Sequence, residues 1–439
     1  MRRRIVSAAL ALALAASLTA CGGGGTNADA GTKGQESNSE GSGSADGEKI
    51  TLNLYWWGNQ VRNDVTKKAA DLYMEQNPNI EIKIEFTDWG GYWDKLSAMT
   101  AGGNMPDIIQ QDYSYLRQYQ ESGSLADLTP FIEDGTIDVS DIPQSIIESG
   151  SIDGRCYALS LGSNANLMAY DKEAVEAAGV TMPEQPTYED LIEIGQKVYE
   201  ATGIPTTFDG GLNMIQMMAR EDGSKIFDEW MAGESTTTAK YYQYLEDTRD
   251  LEWTIPPEIL SEKDTGALET SPIVDASAWD NLMTSNMFIG LSAVTPRPLG
   301  LCMFPASEDM VEQPLFLKPS QFFSIAETSE YKKEAAEFVN WFTNSVECNE
   351  ILLAERGIPV STKVAEAIKP KVDETTQMVF DYIAKVGEIA TPIDPPDPSG
   401  KGEIEAGQKL LSEEVRTGGV TAAEAAQSLT DQAKRILNN

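Results

Sequence analysis

From residue 49 onward, the hydrophobic positions follow two alternating periods. Apolar side chains at every second position, beginning at Ile50, predict a strand with one buried face that ends at Trp57. A helical period follows over about residues 60–76 and stops at Asn77-Pro78. Further strands are predicted at 80–86 and 108–109, and further helices at 92–101 and 114–120. Strands that alternate with helices indicate an α/β fold with a parallel sheet and right-handed crossovers.

Two later helices carry recognisable start signals. Thr187, with Asp190 three residues later, resembles a capping box and predicts a helix that continues to about Ala201. Thr421 and Glu424 form a clearer capping box, which predicts the start of the last helix.

The N-terminal segment predicts secretion. Arg2, Arg3 and Arg4 precede an apolar run over residues 5–18, which is too short to be a stable membrane-spanning helix. We therefore interpret residues 1–20 as a signal peptide. Leu18-Thr19-Ala20-Cys21 matches a bacterial lipobox, so Cys21 is expected to carry lipid and to become the first mature residue. The alternative is an ordinary signal peptide with a chance cysteine.

Residues 22–48 are rich in Gly, Ser, Asn and Asp and have no apolar periodicity. Such a segment cannot bury enough surface to offset its ordering entropy, so a disordered tether of roughly 30 Å is expected. The predicted location is therefore the extracellular face of the bacterial cell membrane, where the lipid on Cys21 anchors the chain. No later stretch approaches the apolar length of a membrane span.

Composition excludes several kinds of chemistry. The chain has no histidine, which excludes Ser-His-Asp and Cys-His catalysis and His-ligated zinc. Its net charge of −36 should repel nucleic acid. Cys156, Cys302 and Cys348 are widely spaced and lack a CxxC pattern, so we expect buried small hydrophobes rather than a metal site or a disulfide framework. No metal or organic cofactor is indicated.

The predicted strand ends carry the candidate chemistry, because ligands of open α/β sheets bind beyond the carboxyl ends of the strands. Each of the first three strands is followed by an aromatic ring together with planar polar side chains. The residues selected on this basis are Trp57, Asn59, Arg62, Trp89, Gln111, Asp112 and Tyr113. A sugar presents C–H faces that stack on aromatic rings and hydroxyls that need fixed hydrogen-bond partners. The pattern therefore favours carbohydrate binding.

Some of these residue types also have structural interpretations. Three tryptophans are predicted to pack in the core, namely Trp56, Trp93 and Trp341. Trp57 and Trp89 differ from them, because each occupies a strand-to-helix turn beside glycine. Asp112 has a second interpretation, since aspartate is favoured as the cap of a following helix. The sequence leaves both roles of Asp112 open.

Several segments together resemble a known family. They are Leu52-Asn53-Leu54-Tyr55-Trp56-Trp57-Gly58, Met105-Pro106-Asp107-Ile108-Ile109, Gly123-Ser124-Leu125-Ala126-Asp127-Leu128-Thr129-Pro130, Asp153-Gly154-Arg155-Cys156-Tyr157-Ala158-Leu159, and residues 164–172, 318–342 and 357–360. Their order and spacing resemble family 1 of the extracellular solute-binding proteins, the maltose- and oligosaccharide-binding type that serves carbohydrate ABC importers. Ser160 stands where the family usually has proline.

The resemblance implies a two-lobed α/β fold of the periplasmic-binding-protein type, with a hinge and a ligand cleft between the lobes. The first lobe would contain residues 49–160 and 320–362, and the second lobe residues 161–319 and 363–439. The crossings would lie near Ser160, Lys318 and Thr362.

The resemblance also implies site residues from the second lobe, namely Asn164, Asp209 and Trp279. Arg297 lies either at the cleft rim or in a surface ion pair. Residues 392–398 either line the cleft or form a stiff surface loop. The sequence does not decide between these alternatives.

As a function, the resemblance implies capture of an oligosaccharide by lobe closure, without catalysis, and delivery to an ABC permease and its ATPase. The protein would act as a monomer. Arg62 could form a bidentate hydrogen-bonded pair with a sugar carboxylate, which suggests an acidic sugar as a further hypothesis. A polyamine or peptide ligand is the main alternative, since Trp89 and Tyr113 each follow an aspartate and suit cation–π contacts. A ligand-sensing lipoprotein and a glycosidase with two carboxylates are the others.

Overall fold

Two separate sheets, each covered by helices, organise the chain in a computed structural model that describes residues 49–263 and 267–438. The predicted signal peptide, Cys21 and the tether lie outside the described residues. The strands are β1 (Ile50–Trp57), β2 (Ile80–Thr87), β3 (Ile108–Gln111), β4 (Ser151–Ile152), β5 (Arg155–Cys156), β6 (Leu159–Ser160), β7 (Ser163–Asn164), β8 (Asn166–Asp171), β9 (Asp280–Thr284), β10 (Leu299–Met303), β11 (Lys318–Pro319) and β12 (Phe322–Ile325).

The helices account for most of the remaining chain. They are α1 (Gln60–Gln76), α2 (Trp89–Ala101), α3 (Tyr113–Glu121), α4 (Thr129–Glu133), α5 (Gln144–Ser149), α6 (Lys172–Ala177), α7 (Tyr188–Thr202), α8 (Gly211–Glu221), α9 (Ile226–Ala232), α10 (Thr236–Arg249), α11 (Pro257–Lys263), α12 (Ser285–Val294), α13 (Lys332–Asn344), α14 (Val346–Leu352), α15 (Thr362–Ile368), α16 (Glu374–Ile389), α17 (Lys401–Arg416) and α18 (Ala422–Leu437). Two 3-10 turns lie at Leu268–Thr270 and Lys369–Lys371.

The first sheet has the strand order β2-β1-β3-β12-β6. Strands β1, β2 and β3 are parallel, as the strand–helix alternation predicts, whereas β12 runs antiparallel to both β3 and β6. Leu52 and Leu54 are buried on one face of β1, while Asn53 between them is exposed. The elements packed on this sheet form what we call the first lobe.

The second sheet has the strand order β10-β8-β9, and all its pairs are antiparallel. Helix α16 packs against β10 and α12, whereas α10 packs against α8, α17 and α18. These elements form the second lobe. Its central strand β8 is buried through Leu167, Met168 and Ala169, which explains why it shows no alternation in the sequence.

The segments that cross between the two sheets are hydrogen-bonded to one another. Asn164 in β7 pairs with Lys318 in β11. The Ser163 amide donates to the Ile358 carbonyl at 2.8 Å, and the Ser320 amide donates to the Gly162 carbonyl at 2.8 Å. The chain thus passes three times through one small region, close to the predicted crossings. The division of the lobes at those residue numbers stays a prediction.

A buried arginine ties the third crossing to the first lobe. The Arg356 guanidinium donates to Gln110 Oε1 at 2.6 Å and to Thr66 Oγ1 at 2.8 Å, and it lies 5.6 Å from the centroid of the Phe323 ring. Burial lowers the pKa of Arg356 to about 9. The Arg356 carbonyl accepts a bond from Gln321 Nε2 at 2.8 Å, so one residue joins two crossings to the first sheet.

Several local predictions are confirmed. Helix α1 has the predicted bounds, and both capping boxes are present at the starts of α7 and α18. Helix α2 begins earlier than predicted, at Trp89, because the Asp88 carboxylate accepts from the Gly91 amide at 3.0 Å and caps it. The predicted core tryptophans Trp56 and Trp93 are buried. Trp341 is partly buried against the core. Cys156, Cys302 and Cys348 are buried and free, as expected.

Two features are absent from the described residues. No helix in residues 49–263 and 267–438 combines the length and apolar character needed to cross a bilayer. In the same part of the chain, no group of three or more His, Cys, Asp or Glu is placed to hold a metal ion.

Candidate ligand-binding cleft

An aromatic cluster lies at the carboxyl ends of β1 and β2. The Trp57 ring meets the Trp89 ring edge-on with centroids 4.9 Å apart, and Trp93 stacks on Tyr115 at 3.8 Å. Trp89 keeps 46% of its surface exposed, whereas Trp57 keeps only 8%. Trp89 therefore has an exposed ring, which Trp57 supports from one side, and a ligand contact by Trp89 stays a prediction.

The polar residues at the start of α1 are largely engaged with one another. Asn59 caps the helix by accepting from the Arg62 amide at 3.0 Å. The Arg62 Nε atom lies 3.0 and 3.1 Å from the two carboxylate oxygens of Glu355. Gly58 makes room for this side chain, since a Cβ there would lie 2.6 Å from Arg62 Cδ. Arg62 thus already has a carboxylate partner within the protein.

At the end of β3, one of the two open roles of Asp112 is observed. The Asp112 carboxylate accepts from the Ser114 amide at 2.9 Å and caps α3. Gln111 is fully buried, and its Oε1 accepts from the Asp112 amide at 3.1 Å. Gln111 Nε2 has no hydrogen-bond partner among the described residues. Capping does not exclude a ligand contact by Asp112, and that role stays a prediction.

Tyr113 connects the two lobes. Its hydroxyl donates to the Asp394 carbonyl at 2.7 Å. The Asp394 carboxylate pairs with Arg220 of the second lobe and accepts from Gln216 at 3.3 Å. The segment containing residues 391–394 therefore contacts both lobes and is not an isolated surface loop.

The second lobe contains a cavity of about 590 Å³, which lies within the range of small-molecule sites. Its lining mixes charged, amide and aliphatic side chains, including Asp209, Asn213, Asn281, Met287, Gln408 and Arg416. Asn213 belongs to α8, and one turn later the same helix carries Gln216, which contacts Asp394. Helix α8 thus links the cavity to the segment that Tyr113 reaches.

Asp209 is held rigidly at the wall of this cavity. Its carboxylate accepts from the Gly211 amide and the Tyr241 hydroxyl, each at 2.7 Å, and pairs with Arg416. Burial lowers the pKa of Arg416 to about 10. Of the predicted site residues, Asp209 alone lines the cavity within the described part of the chain.

A buried acid stands behind the cavity wall. Asp280 is fully buried, and it accepts from the Thr207 amide at 2.8 Å and from the Thr207 hydroxyl at 2.7 Å. Burial raises the pKa of Asp280 from 3.8 to about 6. Because the folded state holds this proton more tightly than the unfolded state, the group stabilises the fold least at high pH.

We expect Asp280→Asn to be more stable than the native protein above pH 6, because it carries no buried charge. Its Oδ1 still accepts from the Thr207 amide, and its Nδ2 can donate to the Thr207 hydroxyl. The difference in unfolding free energy between the variant and the native protein should grow from about pH 4 to about pH 6, by about 1.4 kcal/mol per pH unit for one proton. Above about pH 6 it should level off. Urea unfolding across this pH range measures it. The exposed carboxylate Asp250 provides the control, since Asp250→Asn should show no such growth. A pH-independent difference for Asp280→Asn would contradict the prediction.

The prediction that Trp279 binds the ligand is wrong. Its ring is 0% exposed and packs in the core of the second lobe, and its Nε1 donates to Thr206 Oγ1 at 2.9 Å. It therefore has no free face on which a sugar could stack.

Asn164 and Arg297 are the remaining predicted residues of the second lobe. The backbone of Asn164 pairs with Lys318 in the crossing ladder, and a ligand contact by its side chain stays a prediction. Arg297 pairs with the buried Asp171 and donates to the Ile273 carbonyl. The ion-pair alternative for Arg297 is therefore the one observed, with a buried partner.

The cavity also contains residues that the sequence reasoning missed. Met287 and Leu410 are exposed hydrophobic side chains in its lining. Met287 lies three residues after the end of β9, in the first turn of α12, and β9 was not recognised in the sequence. Gln408 and Arg416 lie on α17, and their sequence carries no local signal of a site.

Comparisons with known proteins match this architecture. A family model described as bacterial extracellular solute-binding protein matches residues 58–346. A structure of an extracellular solute-binding protein of family 1 from Alicyclobacillus acidocaldarius aligns with a TM-score of 0.83 and 29% identity, over 90% of this chain and all of that one. A periplasmic oligogalacturonide-binding protein from Yersinia enterocolitica has the same fold, with a TM-score of 0.71 and 19% identity over 89% of this chain and 99% of that one.

Curated relatives match over a shorter range. An arabinooligosaccharide-binding protein from Bacillus subtilis is 26% identical over 215 residues, which are 47% of this chain and 48% of that protein. The chain thus spans about half the length of the curated relatives it matches. The predicted two-lobed α/β fold is confirmed by the structural neighbours, and the family model covers most of the chain. We conclude that this chain belongs to the bacterial extracellular solute-binding protein family.

Proposed function

We propose that this protein captures a carbohydrate, specifically an oligosaccharide, outside the cell and delivers it to an ABC importer. The observation that carries the proposal is the chemistry of the two lobes. The first lobe presents the exposed ring of Trp89, and the second lobe presents a cavity lined by the amides of Asn213, Asn281 and Gln408. Rings that stack on C–H faces and amides that bond hydroxyls are what a sugar requires.

Closure of the two lobes around the ligand is part of this proposal. Support comes from the crossings, where three short segments are the covalent links between the sheets, and from the Tyr113 bond to the Asp394 carbonyl. A ligand that contacts both lobes binds the closed form better and shifts the population toward it. In this view the closed form is what the permease recognises.

Anchoring through lipid on Cys21 completes the proposed function. The lipobox at Leu18-Thr19-Ala20-Cys21 supports it, together with the Gly- and Ser-rich segment that follows. The anchor would keep the protein at the outer face of the membrane beside its permease, with the tether giving it freedom to bind ligand.

A thermal-shift screen of the protein without its signal peptide tests the function. Neutral oligosaccharides, uronates, spermidine and short peptides are the probes. A ligand that binds only the folded state adds about 2.7 kcal/mol at a hundredfold excess over its Kd, so a true ligand gives a clear rise in Tm. A rise with one sugar class is expected. A rise only with spermidine or peptides would overturn the carbohydrate assignment.

Trp89→Ala is expected to weaken oligosaccharide binding about tenfold, because it removes the exposed ring that a pyranose would stack on. The Tm should change little, since Trp89 is only partly covered. Titration calorimetry and a melting curve measure the two effects. Trp93→Ala is the matched control, since Trp93 is buried and should lower the Tm. Unchanged affinity in Trp89→Ala would show that its ring does not contact the ligand.

A further inference from the structure

The basic side chains around the second-lobe cavity already have partners. The cavity lining contains four basic side chains and three carboxylates. Three basic side chains form ion pairs, which are Arg416–Asp209, Lys401–Asp397 and Lys263–Asp275. Lys409 is also engaged. Arg62, the guanidinium near the first-lobe aromatic cluster, is held by both oxygens of Glu355.

A carboxylate on a ligand would therefore compete with acids of the protein for these cations, whose charges are already compensated. It would also enter the field of a chain whose net charge is −36. Both effects disfavour an anionic ligand, because like charges brought together at an interface weaken binding.

One buried side-chain atom in the cavity wall, Gln408 Oε1, lacks a hydrogen-bond partner among the described residues. Gln408 is 1% exposed, and its Nε2 donates to the Tyr241 hydroxyl at 2.9 Å and to Ser412 Oγ at 2.8 Å. Because the Tyr241 proton is donated to Asp209, the Tyr241 oxygen must accept from Gln408, which fixes the orientation of the amide. The Gln408 Oε1 atom is thus an acceptor without a donor among the described residues.

Gly211 is a neighbour of this acceptor in the cavity wall. Gly211 has φ of +57°, and a Cβ at this position would lie 3.7 Å from Gln408 Oε1. Both residues belong to the cavity lining. A ligand hydroxyl can donate a hydrogen bond to such an oxygen, whereas a carboxylate in the same place would be repelled by it. Uronic acids also carry hydroxyls, so this contact favours a sugar, and the compensated basic side chains set the preference for a neutral one.

We propose that the site selects neutral, hydroxyl-bearing sugars over uronic acids, with Gln408 Oε1 accepting a hydrogen bond from a ligand hydroxyl. This specificity rests on the carbohydrate binding proposed above and narrows its substrate class. It replaces the hypothesis that Arg62 holds an acidic sugar, since the Arg62 guanidinium is bound to Glu355.

Titration calorimetry with matched sugars tests the charge selectivity. The probes are neutral arabino-, gluco- and galacto-oligosaccharides of two to four units, with glucuronate and galacturonate oligomers of the same lengths. The tightest ligand should be neutral, and the matched uronates at least about tenfold weaker. This difference in affinity between neutral and uronate oligomers should narrow between about 0.02 M and about 0.5 M salt, because salt screens the repulsion between the uronate and the acidic protein. A uronate that binds as tightly as the neutral sugars overturns the selectivity alone. Absence of binding by any sugar overturns the proposed function as well.

Gln408→Met tests the acceptor separately. It should weaken the tightest neutral sugar about tenfold, because the buried hydroxyl loses its partner. Gln432→Met is the matched control, because Gln432 lies on α18 outside the cavity lining and should leave the affinity unchanged. A deoxy sugar lacking the bonded hydroxyl should bind both the native protein and Gln408→Met equally. If Gln408→Met binds the neutral sugar as tightly as the native protein, Oε1 is not the acceptor.

Discussion

Asp394→Ala is expected to lower the free energy of unfolding by about 3–5 kcal/mol, because it leaves a buried arginine without its counter-charge. The side chains of Arg220 and Asp394 are only 7% and 12% exposed. Arg220 would keep its bonds to the Pro314 carbonyl at 2.7 Å and the Pro392 carbonyl at 2.9 Å. These carbonyls satisfy hydrogen-bond donors but cannot neutralise the guanidinium, so most of the desolvation cost remains.

Urea unfolding of Asp394→Ala beside Asp397→Ala provides the measurement and its control. Asp397 lies in the same segment and pairs with Lys401 at 2.6 Å, but both side chains remain one-third exposed. Its removal should cost less than about 1 kcal/mol, as is typical of accessible pairs. Equal small losses in the two variants would mean that solvent or another acid neutralises Arg220.

Gly162→Ala is expected to disrupt the region where the lobes are connected. An ideal Cβ at Gly162 would lie 2.2 Å from the Arg356 carbonyl oxygen and 2.8 Å from Ser320 Oγ. Contacts this short force the neighbouring crossings apart, and overpacking of this kind costs about 1–3 kcal/mol or more. The Ser320 amide bond to the Gly162 carbonyl and the bonds to the Arg356 carbonyl would be strained together.

Melting curves and ligand titrations of Gly162→Ala should therefore show a lower Tm together with weaker binding. Gly402→Ala is the matched control, since no atom lies within 4 Å of its ideal Cβ and alanine favours the helix it occupies. It should leave the Tm unchanged or raise it. A native Tm in Gly162→Ala would show that the crossings can move apart without loss of stability.

The first lobe could be predicted in some detail because its signals are local. Strand β1 has apolar residues at alternate positions from Ile50 to Leu54, although its last four residues are all buried, and α1 begins and ends at capping residues that the sequence displays. The exposed position of Trp89 follows from its place after β2. The second lobe offers weaker signals, because its central strand is buried on both faces and the crossing strands have two residues each.

The candidate site was less predictable, because its geometry depends on partners far apart in sequence. Arg62 is neutralised by Glu355, 293 residues later, and Asp209 is held by Arg416, 207 residues later. Trp279 illustrates the same limit. Its neighbours Asp280 and Asn281 suggest a polar site, yet its burial is decided by packing against Thr206 and the core of the second lobe.

The position of β12 has a consequence for the order in which the chain folds. This strand lies between β3 and β6, and Phe322 pairs with Gln111 on one side and with Ser160 on the other. A chain that ends before β12 leaves two unpaired strand edges facing each other, which favours association between molecules. Pairings so distant in sequence also slow folding. We therefore expect the sheet of the N-terminal third to be completed only after the intervening lobe has been synthesised.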